Sequence, residues 1–462
     1  HLYVRNEVER RGLARRDTGQ LWGSIEISRR FSAALDRVIV DEGAVIARAQ
    51  AYEKMVGETI NRIMLGHRQF GRGFSPGGVK QPRIPVVEHA SYVQTLHAFN
   101  DTLWFWENEI DEKGLTLIIN GEKWVAAICR AKGVQYRRLG LGRHGNYQYW
   151  SPDEYLRNPF LEPTYNQLTS WPPASLSGTY APQVSKNKKA LEVASLRGIA
   201  HSLVINFVKE AVYRVRGLQT DRPRLSGMVR TSLQPWLQMR QYRRLATETV
   251  ADLKSKTFFY YPLHKEPETD FLIRTPDYFS QHAAILAIAR DLPAGVLLAV
   301  KEHIPGTGPR PAELYNQLKD LKNVVLVDIF ESSVELIKHA AATITFVGSA
   351  GIEATILGRP VIQFSPHTHN HFVPHVMTLT SDRELKGCID RVLDGQIDLD
   401  QARDNGARFL QAIKDSCFDM GSYLRTRGGT YGATSESADI VYQGLVKSLD
   451  LMTPDIGQRL QA

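Results

Sequence analysis

The stretch from residue 296 to residue 365 constrains this chain most. It reads VLLAVKEHIPG, NVVLVD, SSVELIKHA and TITFVGSAGIEATILGRPVIQFS, so short apolar runs alternate with segments of helical spacing. Such alternation predicts a parallel sheet with helical crossovers. In an open parallel sheet the loops after the strands gather at the carboxyl edge, where ligands bind. His303, Glu335, Ser349 and Glu353 are each placed near a strand end, so the pattern predicts convergence although fifty residues separate the first from the last.

The same alternation starts at Thr257. Its strands are TFFYYPL, VLLAVKE, NVVLVD, TITFVG and PVIQFS, and its helices are SQHAAILAIARDL, AELYNQLKDL, SSVELIKHA and GIEATILG. An earlier unit reads RIPVVEHA, LTLIIN and VQYRRLGL as strands, with ASYVQTLHAFNDTLWFWENEI and GEKWVAAICRAKG as helices, the second stopping at Gly133. The expected fold class is α/β, with two Rossmann-like domains facing a cleft. The domains are predicted as a helical N-terminal segment 1–78, a first Rossmann-like acceptor domain 79–250 with a helical insertion, and a second, ligand-binding one over 251–440. A C-terminal helix within 441–462 is expected to pack back on the first domain.

A chain of 462 residues exceeds one ordinary core. Apolar content of 43% and charged content of 23% belong to a globular protein. No apolar run approaches the roughly 18–20 residues of a membrane span, and the opening HLYVRNEVERRG lacks the apolar part of a signal peptide. Cys129, Cys388 and Cys417 show neither paired nor ligand spacing, which fits a reducing cytoplasm. The formal charge of +8 fits an anionic partner such as phosphate, acidic glycan or lipid. No helix-turn-helix or RNA-binding signature is present, so nucleic acid is not expected. Arg214, Arg216, Arg222, Arg224, Arg230, Arg240, Arg243 and Arg244 either solvate exposed helix faces or form a docking face for an anionic membrane or acidic glycan.

Several loops carry the chemistry. In KEHIP, His303 can donate to a phosphate, Lys301 adds charge, and Pro305 fixes the turn. In GSAGIEA, the small residues Gly348, Ser349, Ala350 and Gly351 open a helix whose N-terminus suits a phosphate, with Glu353 one turn on. Glycine there suits tight strand–helix packing as well. Glu335 fits either paired ribose hydroxyls or a helix-dipole position. YPLHKEPE offers His264, Glu266 and Glu268 as acid/base candidates and Lys265 as a cation. VVEHA places Glu88 and His89 at the end of the predicted first strand of the facing unit, as base or nucleophile. Arg143 and His144 follow in GLGRHGNYQYW, where they could touch an acidic sugar. SPHTHNHF alternates His367, His369 and His371 without acidic or cysteine partners, so no metal is expected.

In order, YPLHKEPE, LLAVKEHIPG, NVVLVD, SSVELI and TFVGSAGIEATILGRPVIQF resemble the capsule polysaccharide biosynthesis glycosyltransferases, most nearly the bacterial β-Kdo transferases. The resemblance covers about residues 257–366 and, more loosely, 84–150, where AAICRAKGVQYRRLGLGRHGNYQYWS is similar to the family's first domain. It implies a GT-B enzyme with a CMP-activated acidic sugar as donor, no cofactor, and a glycan or glycolipid acceptor. It implies work in the cytoplasm, at the inner face of the inner membrane. The family's His-Pro phosphate motif would fall on His303 and Pro305, with Ile304 between them. Its ribose glutamate would fall on Glu335, its small hydroxyl residues on Gly348 and Ser349, and its catalytic carboxylate on Glu88 or else Glu268. Rival readings are a transferase using a UDP- or GDP-sugar, for which Arg310 would serve the second phosphate, a non-catalytic glycan-binding member of an assembly complex, and a sugar-nucleotide epimerase.

Overall fold

The computed structural model describes residues 1–462 apart from 5–6, 16, 18, 20–21, 29–33, 36, 76, 79–82, 175–194, 216–224, 267–268, 276, 279, 309, 312, 421–434 and 451–462. The stretch 1–78 is not purely helical. Strands β1 (Leu2–Val4) and β2 (Ile25–Ile27) form a parallel pair beside the helices Glu7–Ala14, Glu42–Val56 and Ile60–Leu65. Gly57, at φ 72°, ends the helix Glu42–Val56 in the left-handed conformation that spares glycine a Cβ clash.

The first unit departs from its expected opening. RIPVVEHA forms the helix Pro85–His89 rather than a strand. Pro85 stands in the first helical turn, where a missing N–H costs nothing and a fixed φ suits the helix. LTLIIN and VQYRRLGL do form strands, β3 (Leu117–Ile119) and β4 (Gln135–Leu141), in parallel register around the helix Lys123–Ala131. β5 (Tyr147–Ser151) then turns back antiparallel on β4, so this sheet is mixed rather than all parallel. The long helix Tyr92–Lys113 starts with a reciprocal cap: the Ser91 hydroxyl accepts from the Gln94 N–H at 3.1 Å, and Oε1 of Gln94 accepts from the Ser91 N–H at 2.8 Å. It buries Phe99, Leu103 and Trp106 against Tyr52, Ile60 and Ile63, so residues of the N-terminal stretch share this unit's core.

The second unit is all parallel. Its strands are β6 (Phe258–Pro262), β7 (Leu297–Lys301), β8 (Val324–Val327), β9 (Thr343–Thr345), β10 (Val361–Gln363) and β11 (Val376–Thr378), in the order β11-β10-β9-β6-β7-β8. The first strand lies in the middle, the next two on one side and the last three on the other, which is the doubly wound arrangement. Both faces are covered. Phe259, Tyr261, Leu298, Val300 and Ile344 pack on one side, and Phe258, Tyr260, Ala299, Val327 and Val361 on the other. Full burial of a Val, Leu, Ile or Phe side chain contributes about 1.5–3 kcal/mol.

Two returns tie the units together. β12 (Phe418–Asp419) adds antiparallel to β5. The helix Ser435–Leu449 lies on the first unit, where Nε1 of Trp150 donates to the Val441 carbonyl at 3.0 Å and Nε of Arg137 to the Ser448 hydroxyl at 3.0 Å. In the insertion, the helices Leu196–Val215 and Leu225–Leu245 pack on each other. The second of them anchors on the second unit through Tyr242, whose hydroxyl donates to the Val327 carbonyl at 2.7 Å. The fold is thus α/β, with two units facing a cleft in the GT-B manner.

Candidate functional site

In a doubly wound sheet the crevice opens where the strand order reverses. Here that point lies between β6 and β9, which are neighbours. His264 follows β6 directly. Its Nε2 lies 3.1 Å from Oγ1 of Thr345, at the end of β9, and accepts from the Phe346 N–H at 3.3 Å. That bond assigns the proton of the neutral ring to Nδ1. Burial is the main cause that lowers the His264 pKa to about 3, and the nearby His303 and Arg310 add to it, so the ring is neutral at pH 7. Gly348 explains itself beside this ring: a Cβ there would stand 2.7 Å from Cε1 of His264.

The crevice has a volume of about 190 Å³ and is lined by His264, Lys301, His303, Gly348, Ser349, Ala350 and Glu353, among others. The helix Ser349–Ile356 begins at its wall, and no side chain caps that helix at Gly348. Its first N–H groups and partial positive charge therefore face the cavity. His303 opens to solvent at the mouth, while packing on its other sides lowers its pKa to about 4, with Glu302 acting in the opposite direction. Burial lowers Lys301 to about 8, and the carboxylates of Glu302, Asp328 and Glu353 hold it from falling further. Burial raises Glu353 to about 7, with Lys301 pulling it down. Arg143 reaches the same cavity from the first unit, on the loop after β4, at φ 61°. A positive φ is unusual for arginine, and the loop holds it at the cleft.

Behind the lining lies a buried ionic cluster, formed by residues that the motifs offer only singly. Arg310 is fully buried and donates through Nη2 to Glu302 at 2.9 Å and to the His264 carbonyl at 2.6 Å. Its Nε reaches Glu302 at 3.0 Å, and its Nη1 pairs with Glu266 at 3.4 Å. Glu302 in turn accepts from the His303 N–H at 2.7 Å and the Tyr315 hydroxyl at 2.6 Å. One guanidinium thus ties together the two loops that carry His264 and His303.

Other expected residues fall elsewhere. Glu335 lies on the surface of the helix Ser333–His339, paired with Lys338 at 2.7 Å, and does not line the cavity. The Lys338 hydrogen bond lowers its pKa. Ser333, two residues earlier, lines the cavity instead and bonds the Tyr260 hydroxyl at 3.2 Å. Glu266 is buried in the arginine cluster, and burial raises its pKa. His144 is buried and stacks on Tyr147, with ring centroids 6.2 Å apart. Glu88 and His89 end a short helix rather than a strand; Glu88 pairs with Arg83 at 3.3 Å beside a separate small cavity. Gly351 borders a neighbouring pocket, and Pro305 stands in the 3-10 turn Ile304–Gly306. Glu268 lies outside the described residues, as do Arg216, Arg222 and Arg224.

The three histidines of SPHTHNHF are used separately. His367 stacks on Tyr155 at 4.0 Å, Nε2 of His369 lies 3.3 Å from the Tyr149 hydroxyl, and Nδ1 of His371 lies 2.9 Å from the Thr368 carbonyl. Arg274 is a lining residue that sequence reasoning missed. It is buried and donates through Nε to the His367 carbonyl at 2.9 Å. FLIRTP carries no motif, and only the approach of a distant carbonyl gives its arginine a place.

No family model matches this chain, and no curated protein sequence does. Solved structures with similar chain traces include the β-Kdo 2,7 transferase KpsC of Thermosulfurimonas dismutans, at 15% identity and a TM-score of 0.31 over 61% of this chain and 78% of that one. They also include the UDP-GlcNAc 2-epimerase of Methanocaldococcus jannaschii, at 13% identity and a TM-score of 0.28 over 69% of this chain and 81% of that one. The wall teichoic acid polymerase TagF is a third, at 14% identity and a TM-score of 0.22, covering 46% of this chain and 47% of that one.

Proposed function

We propose that this chain is a glycosyltransferase that moves Kdo or a similar acidic ulosonic sugar from its CMP donor to a hydroxyl of a bacterial surface glycan, in capsule or lipopolysaccharide. The observation that carries this reading is the meeting, at one sheet edge, of an uncapped helix N-terminus with His264, His303 and Lys301. That set suits one phosphate: backbone N–H groups, one cation and neutral imidazole donors. The same groups would stabilise the charge that develops on a departing CMP. Glu353, in the cavity, suits the ribose hydroxyls better than Glu335, which is on the surface. Arg143 supplies a cation from the facing unit for the sugar's carboxylate.

The commitment of Arg310 to Glu302 and Glu266 favours a monophosphate donor over a diphosphate one. The cation that a second phosphate would draw from the 303–310 loop is already engaged. The experiment is thermal unfolding with CMP, UDP or GDP. CMP is expected to raise Tm, and His303→Ala to remove most of that rise. Stabilisation by UDP or GDP, and not by CMP, would replace the donor assignment.

The partner surface fits a peripheral contact with an anionic bilayer. No described helix is long and apolar enough to cross a membrane. The helix Leu196–Val215, however, turns Val204, Phe207, Val208, Val212 and Val215 outward, with Val215 88% exposed. Its packing partner, Leu225–Leu245, exposes Arg230, Arg240 and Arg244. An apolar helix face beside exposed arginines suits the boundary between acyl chains and anionic headgroups.

A further inference from the structure

A cavity larger than the crevice above lies elsewhere in the molecule. It measures about 690 Å³ and opens at the carboxyl edge of β3, on the first unit. Asn120, Glu122, Trp124, Arg68 and Arg138 line it, and Ile273 closes it from the second unit. Arg274, the next residue, lines the donor crevice. One short stretch of the second unit thus contributes a lining residue to each cavity.

The loop that presents Glu122 is held rigidly. The Asn120 N–H donates to the Arg137 carbonyl at 2.8 Å, and Oδ1 of Asn120 accepts from the Leu139 N–H at 3.1 Å. The Tyr136 hydroxyl donates to the Gly121 carbonyl. Asn120 takes φ 59°, which turns the chain sharply into the helix Lys123–Ala131. Glu122 stands at the N-cap position of that helix but does not cap it, and among the described residues its carboxylate has no ion pair or side-chain hydrogen bond. Crowding by protein raises its pKa, with Arg138 pulling the other way, yet solvent still reaches it. A carboxylate moved toward neutral pH is a better proton acceptor at neutral pH than an ordinary one. Arg68 brings positive charge to the wall, whereas Lys123 is paired with Glu58 at 2.8 Å.

We propose that this cavity binds an acidic saccharide as acceptor and that Glu122 is the general base of the transfer. The proposal rests on the donor reading given above. The acceptor hydroxyl gives its proton to the Glu122 carboxylate while its oxygen bonds to the anomeric carbon of the donor sugar. The bond from that carbon to the phosphate oxygen breaks, and its electron pair leaves with CMP.

Two arms test this. Trp124 fluorescence reports binding without any donor, with the methyl glycoside of Kdo as the acidic probe and methyl mannoside as the neutral one. A saturable change is expected with the acidic probe only. It should vanish in Trp124→Phe and weaken about tenfold in Arg68→Ala. No saturable change, a change that survives Trp124→Phe, or equal response to the neutral probe overturns the proposal, whatever the donor is. The second arm uses CMP-Kdo with the same glycoside. Glu122→Gln should keep CMP and glycoside binding within twofold while transfer falls about 10²–10⁴-fold, and Glu122→Asp should recover part of the rate. Full transfer by Glu122→Gln overturns the base assignment. A protein that takes the glycoside here but binds no CMP sinks the donor reading and, with it, the base assignment, leaving the acidic-saccharide site in place.

Discussion

Nε2 of His264 lies 3.1 Å from Oγ1 of Thr345, and that contact ties the loop after β6 to the end of β9. The two strands are neighbours only because the sheet is doubly wound, for eighty-one residues separate the partners in the chain. The position of the imidazole is therefore set by strand order, and what surrounds it can be tested.

Gly348→Ala adds a Cβ 2.7 Å from Cε1 of His264. The ring must shift, and the Thr345 contact with it. The backbone at Gly348 has an ordinary φ of −76°, so the fold is expected to survive. CMP affinity measured by calorimetry is expected to fall roughly tenfold to a hundredfold, or about 1.4–2.7 kcal/mol. Unchanged affinity would separate His264 from donor binding.

Arg310→Met leaves Glu302 and Glu266 buried without their cation. Removing one partner of a buried pair costs about 3–5 kcal/mol. Urea unfolding should show that loss. The double variant Arg310→Met with Glu302→Leu should regain part of it, because only Glu266, whose pKa burial already raises, is then left without its cation. A single variant as stable as the parent would show that the cluster is not the brace described here.

The crevice predicts a pH dependence of stability. Glu353 has a folded pKa of about 7, above its ordinary 4.5, so the folded chain holds that proton more tightly than the unfolded one. Its contribution is complete below pH 4.5 and lost as pH rises through about 7, amounting to roughly 3 kcal/mol. Lys301 runs the other way: its folded pKa of about 8 lies below 10.5, so its contribution is lost as pH falls through about 8. Urea midpoints of Glu353→Gln should therefore vary less between pH 5 and pH 7 than those of the parent. Parallel profiles would refute the assignment.

Co-sedimentation with vesicles tests the helix face. Binding is expected to phosphatidylcholine vesicles that contain phosphatidylglycerol, and not to phosphatidylcholine alone. It should weaken as salt rises. Val208→Asp with Val212→Asp, both on the exposed face, should abolish it without lowering Tm. Retained binding by that variant would move the contact elsewhere.

The strands TFFYYPL, VLLAVKE, NVVLVD, TITFVG and PVIQFS were legible because a strand buried on both faces must be apolar throughout, and that pattern is local. From it followed the carboxyl edge and the nearness of His264, Lys301, His303, Ser349 and Glu353. RIPVVEHA misled because a short apolar run can read as strand or helix, and only Pro85 in the first helical turn marks the difference. Glu335 and Glu353 both follow strands in the sequence; burial alone separates the surface carboxylate from the one in the cavity. Arg274, Glu122 and the buried pairing of Arg310 stayed hidden for a different reason. An arginine or glutamate acquires its role from the groups that surround it, and those arrive from distant parts of the chain. Periodicity fixed which segments became strands and helices, whereas tertiary packing decided which charges were paired, which were buried, and which face a cleft.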